Sequence, residues 1–151
     1  MLTVAIPGRR ALRLWHLVLD VNGTLAGAGR LLPGVAPRLR RLAGALEVTV
    51  LTADTYGTAS RLFAPLPVRL FAVGSGADKR RFVEARRGAV AVGNGANDEA
   101  MLRAAALGVA VIGPEGAAVV AVRAADVVVT RIADALDLFL DQRRLVATLR
   151  R

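Results

Sequence analysis

Four short segments hold nearly all the residues of this chain that could do chemistry. They are Asp20-Val21-Asn22-Gly23-Thr24-Leu25, Thr52-Ala53-Asp54, Gly74 to Lys79, and Gly93-Asn94-Gly95-Ala96-Asn97-Asp98. All three asparagines, Asn22, Asn94 and Asn97, lie in them. So does Lys79, the one lysine among 21 cationic residues. Asp20 beside a glycine turn would present a carboxylate next to backbone N–H groups, which suit a phosphate. Thr24 and Thr52 add hydroxyls. Lys79 adds a compact positive charge, able to bind the same phosphate or to hold the carboxylate ionised. Asp98 with Asp20 could bind a hard cation, since Mg²⁺ commonly takes one or two carboxylates together with substrate phosphate and water. Together the parts read as aspartate-based phosphoryl transfer.

Each residue also has an ordinary structural explanation. A lone Asp20 after a strand is a turn former, and Thr52 can satisfy a strand end. Asp54 suits a helix cap, and Asp98 suits a helix N-terminus through the dipole. Lys79 can be plain surface. His16 falls inside a strand pattern and reads as a satisfied core histidine. The specificity lies in the four loops jointly.

The positioning elements follow from the apolar pattern. Runs of strand length are expected at 14–20, 48–52, 68–73, 89–92, 108–112 and 127–129, with helices at 35–46, 55–63, 78–87, 97–106, 115–124 and 132–150. Residues 2–6 read as an extra edge strand. Continuous apolar strands imply burial on both faces of a parallel sheet. Regular strand–helix alternation implies a doubly wound, Rossmann-like α/β domain spanning 1–151. Ligands of such folds sit outside the carboxyl ends of the strands, which is where the four segments fall.

Composition excludes several alternatives. The 151 residues are 54% hydrophobic, so disorder is out, and no apolar run is long enough for a bilayer span. There is no cysteine and one histidine, which removes thiolate or multi-histidine metal sites and a cysteine nucleophile. Aromatic residues, at 4%, are too few for a base-stacking platform. The net charge of +9 raises a nucleic-acid partner. The arginines, however, are scattered in pairs along several expected helices and need not share a face, so nucleic acid is not the favoured partner. Pro7, Gly8 and Arg9 interrupt any signal-peptide pattern at the N-terminus, so a cytoplasmic protein is expected.

The four loops resemble the four motifs of the haloacid dehalogenase superfamily, from about residue 14 to residue 140. The likeness is nearest to the phosphorylation domain of P-type ATPases, here without membrane helices. Val50-Leu51-Thr52-Ala53-Asp54 resembles the second motif and Asp78-Lys79 the third. The stretch VGNGANDEAMLRAAALGVAV followed by AADVVV resembles the fourth. The resemblance implies that Asp20 attacks phosphorus and becomes phosphoaspartate. It implies that Thr52 binds the phosphoryl group with its hydroxyl and that Lys79 neutralises it. Gly23, Thr24 and Asn97 would lie at the phosphate. Asp20, the Asn22 carbonyl, Asn94 and Asp98 would surround Mg²⁺. The gaps that hold cap domains in this superfamily contain only a helix and the next strand here, so a capless core is expected. Its open site would take a large phosphorylated substrate or gain walls from a homo-oligomer.

Two positions depart from the pattern. Most phosphatases of the superfamily carry an acid two residues after the nucleophile, where this chain has Asn22. The fourth motif usually begins Gly-Asp-Gly, and here it is Gly93-Asn94-Gly95. The implied activity is therefore a slow Mg²⁺-dependent phosphohydrolase. The alternative is an impaired phosphate-binding or regulatory protein.

Overall fold

The computed structural model describes residues 1–54 and 57–151. Its centre is a six-stranded, wholly parallel sheet. The strands are β3 (His16–Asp20), β6 (Glu47–Thr52), β7 (Arg69–Ala72), β8 (Ala89–Gly93), β9 (Leu107–Val111) and β10 (Val127–Val129), in the order β10-β9-β8-β3-β6-β7. The chain leaves β3 toward β6 and β7, then returns to build outward on the other side through β8. The order therefore reverses beside β3. A crevice must open there, at the carboxyl ends of β3, β6 and β8.

Successive side chains of a strand point to opposite faces, and both faces are buried through the central strands β3, β6, β8 and β9, while the edge strands β7 and β10 keep exposed residues such as Phe71 and Val128. Leu17 and Leu19 join one buried cluster with Val50, Val92, Leu39 and Leu136. Val18 joins the other, with Leu51, Phe82, Met101 and Leu102. Leu17, Val18 and Leu19 are all fully buried, each contributing roughly 1.5–3 kcal/mol by leaving water. Helices α1 (Val35–Leu42), α6 (Ile132–Leu140) and α7 (Gln142–Leu149) cover the first face. Helices α3 (Gly76–Glu84), α4 (Glu99–Ala104) and α5 (Val119–Ala124) cover the second. Helix α2 (Thr58–Phe63) joins the first through Ala59 and Phe63. No helix among the described residues is long and apolar enough to cross a membrane.

Several local expectations are corrected. Residues 2–6 do not extend the main sheet: β1 (Leu2–Val4) pairs antiparallel with β2 (Leu12–Leu14) in a separate hairpin. A second small hairpin, β4 (Ala26–Gly27) with β5 (Arg30–Leu31), follows the Asp20 loop. The expected closing helix is two helices. Asp141 breaks it, because its carboxylate accepts from Arg143 N–H at 3.3 Å and caps α7. The helix expected from Glu115 starts only at Val119. Thr55, the expected first residue of the helix after β6, lies outside the described residues, as does Tyr56.

Many arginines are held by nearby carboxylates. Arg80 pairs with Glu84, Arg103 with Glu99, Arg131 with Asp134 and Arg143 with Asp141. Arg38 reaches further. Its Nε and Nη2 donate to both oxygens of Asp137, at 2.8 and 3.0 Å, and fasten α1 to α6.

Candidate functional site

Asp20 is the last residue of β3. Immediately after it the chain folds back on itself: Val21 O accepts from the N–H groups of Thr24, Leu25 and Ala26, and Gly23 N–H donates to Ala26 O at 2.9 Å. Gly23 has φ +76°, and a Cβ there would lie 2.5 Å from Asn94 Nδ2 and 2.6 Å from Glu115 Oε2. Glycine is needed for its conformation and for the close approach alike.

Lys79 arrives from the opposite wall. Helix α3 is started by Ser75, whose Oγ accepts from Asp78 N–H at 3.2 Å and donates to Asp78 Oδ2 at 2.9 Å. That cap fixes the first turn and sends Lys79 inward, where it is 4% exposed. Its Nζ donates to Asp20 Oδ1 and to Asp98 Oδ1, both at 2.7 Å.

Asp98 is completely buried. It closes a single 3₁₀ turn, Ala96–Asp98, after β8. Its second oxygen, Oδ2, accepts from the N–H groups of Asn94 and Gly95 at 3.0 and 2.9 Å. Thr24, also completely buried, donates its hydroxyl toward Asp20 Oδ2 at 3.3 Å and Asn94 Oδ1 at 3.2 Å. Asn94 Nδ2 donates to Gly116 O at 3.2 Å. Thr52 Oγ1 accepts from Asp54 N–H at 3.0 Å, which leaves its own proton to point elsewhere.

The electrostatics follow from this packing. Burial, then the charge of Asp98, push the Asp20 carboxyl above its ordinary value, and Lys79 offsets only part of that. For Lys79, burial works against the ammonium. The two carboxylates and their hydrogen bonds outweigh it and hold the lysine above its ordinary value. The triad therefore stores one positive charge between two negative ones.

These groups open onto a cleft of about 360 Å³. Asp20, Asn22, Thr52, Lys79, Asn94 and Asn97 all line it. The hydrogen bonds change three expectations. Gly23 does not offer its N–H outward, because Ala26 O takes it. Thr24 lies beneath Asp20 and orients it, away from the cleft lining. Asp98 has both oxygens occupied by Lys79 and backbone N–H groups, so in this arrangement it holds the lysine. His16 begins β3 at its other end, with Nδ1 3.7 Å from Glu47 Oε1 and no hydrogen-bond partner for that nitrogen.

One cleft residue was not singled out from the sequence. Glu115 lines the opening beside Asn94 and Asn22. Its signal was present: Gly113, Pro114 and Gly116 around it mark a turn, and both glycines have positive φ, +44° and +74°. No group of three or more His, Cys, Asp or Glu side chains suited to a metal occurs among the described residues. Asn22, Asn94 and Glu115 line the cleft with Asp20 and carry oxygens as candidate ligands; the Asn94 Oδ1 already accepts from Thr24. An all-oxygen set of this kind fits a hard cation such as Mg²⁺ and not a soft one.

No family model matches the chain. An uncharacterized protein of Methanocaldococcus jannaschii is 52% identical over 61 residues, which are 40% of this chain and 66% of that protein. Among solved structures, 3-deoxy-D-manno-octulosonate 8-phosphate phosphatase of Moraxella catarrhalis, crystallised with magnesium, phosphate and the KDO molecule, superposes with a TM-score of 0.72. The match has 14% identity and covers 89% of this chain and 90% of that one. A zinc-transporting PIB-type ATPase in its E2·Pi state superposes with a TM-score of 0.64 at 27% identity. Here 78% of this chain is covered but only 20% of the pump. A Legionella pneumophila hydrolase assigned to the haloacid dehalogenase (HAD) superfamily superposes with a TM-score of 0.70 at 18% identity, over 89% of this chain and 86% of that one, so the chain has the fold of that superfamily.

Proposed function

We propose that this chain is a phosphohydrolase working through an aspartyl phosphate on Asp20. The observation that carries the reading is the Lys79 ammonium held at 2.7 Å from Asp20 Oδ1 at the floor of an open cleft. A buried lysine neutralises one oxygen of the carboxylate, and the other, Oδ2, which accepts one long bond of 3.3 Å from Thr24, keeps a lone pair to attack. Attack forms a bond from an Asp20 oxygen to phosphorus while the bond to the leaving-group oxygen breaks. Lys79 neutralises charge on the transferring phosphoryl oxygens. Thr52 and Asn97, on opposite walls of the cleft, supply a hydroxyl and an amide toward them. Water then attacks phosphorus and returns Asp20 to its free form. Asp20, the Asn22 carbonyl and Asn94 would hold Mg²⁺, which would supply charge neutralisation to the phosphoryl oxygens. Asp98 serves by fixing Lys79.

The substrate class is a phosphomonoester or acyl phosphate with a good leaving group, because no acid stands at position 22. The two asparagines, Asn22 and Asn94, favour a second reading, a phosphate-binding protein with little turnover. One experiment separates the two. Intact-mass measurement after acetyl phosphate or beryllium fluoride should show an adduct on the wild type and none on Asp20→Asn. Catalytic release of phosphate from acetyl phosphate should follow. Adduct on both proteins alike overturns the nucleophile assignment; adduct without turnover selects the second reading.

A further inference from the structure

We infer that Glu115 supplies, directly or through one water, the negative charge at the Asp20 cation site that Asn94 does not carry. The inference rests on the proposed cation-assisted phosphoryl chemistry at Asp20 and adds a residue to it.

The turn that carries Glu115 is tied to Asn94 at two points. Asn94 Nδ2 donates to Gly116 O at 3.2 Å, and Ala118 N–H donates to Asn94 O at 2.8 Å. Within the turn, Gly116 N–H donates to Gly113 O at 3.2 Å. Its placement is therefore set by the fourth loop itself. Glu115 Oε2 and Asn94 Nδ2 converge on one gap over Gly23, 2.6 and 2.5 Å from the point a Cβ on residue 23 would take, so Asn94 brings a donor N–H₂ to that gap and Glu115 brings the negative oxygen. The two side chains are thus no further apart than those distances combined. A side chain at position 23 would close the gap, and this chain has none there.

Charge makes the same case. Lys79 is shared between Asp20 and Asp98, so the three together carry one net negative charge. That is little to hold a divalent ion near a phosphate. Asn94 offers an amide and no charge. Glu115 lines the cleft, is solvent-exposed, and makes no ion pair or side-chain hydrogen bond among the described residues. Its charge is not spent on the fold. Mg²⁺ usually keeps several waters and takes one or two carboxylates, so an exposed carboxylate at the mouth meets the requirement.

The test is calorimetric titration of Mg²⁺ into the full chain, without substrate. Glu115→Gln should weaken binding at least about ten-fold, the low end for losing a supporting ligand. Asn94→Asp should tighten it. Glu115→Gln placed on Asn94→Asp should cost less than on the wild type, because one carboxylate then stands in for the other. If Glu115→Gln binds Mg²⁺ as the wild type does while Asp20→Asn loses it, the Glu115 inference is wrong and the reading of the Asp20 site stands. If Asp20→Asn binds Mg²⁺ unchanged, or the wild type binds none, the cation reading at Asp20 fails and takes the inference with it.

Discussion

Lys79 Nζ donates to Asp98 Oδ1 over 2.7 Å, and Asp98, wholly buried, spends its remaining oxygen on two backbone N–H groups. The pair joins the first turn of α3 to the loop after β8. It sets the height of the ammonium beneath Asp20. Asp98→Asn would keep one acceptor for the backbone, but would then turn an N–H₂ toward the ammonium, donor against donor. The expected cost is about 1–3 kcal/mol of stability, read by urea unfolding. Displacing the lysine should also slow adduct formation on Asp20 by about a hundred-fold. Unchanged adduct kinetics in a folded Asp98→Asn protein would show that Asp98 does not position Lys79.

Gly23→Ala tests the crowding at the mouth. A Cβ there would lie 2.5 Å from Asn94 Nδ2 and 2.6 Å from Glu115 Oε2, well inside van der Waals contact, on a residue already at φ +76°. The left-handed conformation alone costs about 1–2 kcal/mol for alanine. Both side chains must also move apart. Thermal melting should fall by several degrees, and Mg²⁺ affinity should fall with it. A variant that melts lower yet binds Mg²⁺ as before would confine the role of Gly23 to the turn.

The main sheet and the four loops were legible because each signal was redundant. The apolar run through Leu17, Val18 and Leu19 admits a two-sided buried strand, and Asp20 with Gly23 marks its end. Lys79 stands out as the only lysine in an arginine-rich chain. The details depended on tertiary choices. Leu2–Val4 is too short to reveal whether it joins the main sheet or pairs with Leu12–Leu14. Asp141 is a capping residue within an apolar pattern that otherwise runs on. The glycine turn, the Thr24 hydroxyl and the family resemblance together point Gly23 and Thr24 at a phosphate. Only the bonds to Ala26 O and to Asp20 reveal that one closes the turn and the other lies under the Asp20 carboxylate. The apolar stretch after Glu115 suggests a helix that includes it, but the positive φ of Gly113 and Gly116 makes a turn there and the helix starts at Val119.

The Arg38–Asp137 pair gives a pH signature of the fold. Hydrogen bonding from Arg38 holds the Asp137 carboxyl below its ordinary value of 3.8. A depressed folded value means that the stabilisation is fully present above the unfolded value. It is lost as pH falls through the folded one. Both side chains are partly exposed, at 29% and 20%, so the pair is worth about 0.5–1 kcal/mol. Asp137→Asn should be less stable than the wild type by that amount in urea at pH 7. The gap should shrink on acidification, starting from about one unit above 3.8. A gap that stays constant down to the acid transition would show that Asp137 acts by shape and not by charge.

On the proposed mechanism, Asn22 should set the leaving-group preference. Transfer from an alkyl phosphate expels an alkoxide that needs a proton, and the water that attacks phosphoaspartate needs a base. Asn22 lines the cleft and is exposed, but its amide does neither task. One positioned acid or base contributes about a hundred- to ten-thousand-fold. The wild type should therefore turn over acyl and aryl phosphates far faster than alkyl phosphates, and phosphoaspartate should accumulate. Asn22→Asp should raise the rate most for the poorest leaving groups and shorten the life of the intermediate. Glu115 shares the cleft, so the same series on Glu115→Gln checks whether that carboxylate already does the proton transfer. Steady-state rates across a leaving-group series, with burst measurements of the phosphoenzyme, decide the matter. If the wild type hydrolyses alkyl phosphates as fast as aryl ones, and Asn22→Asp changes neither, proton transfer at position 22 has no part in the rate.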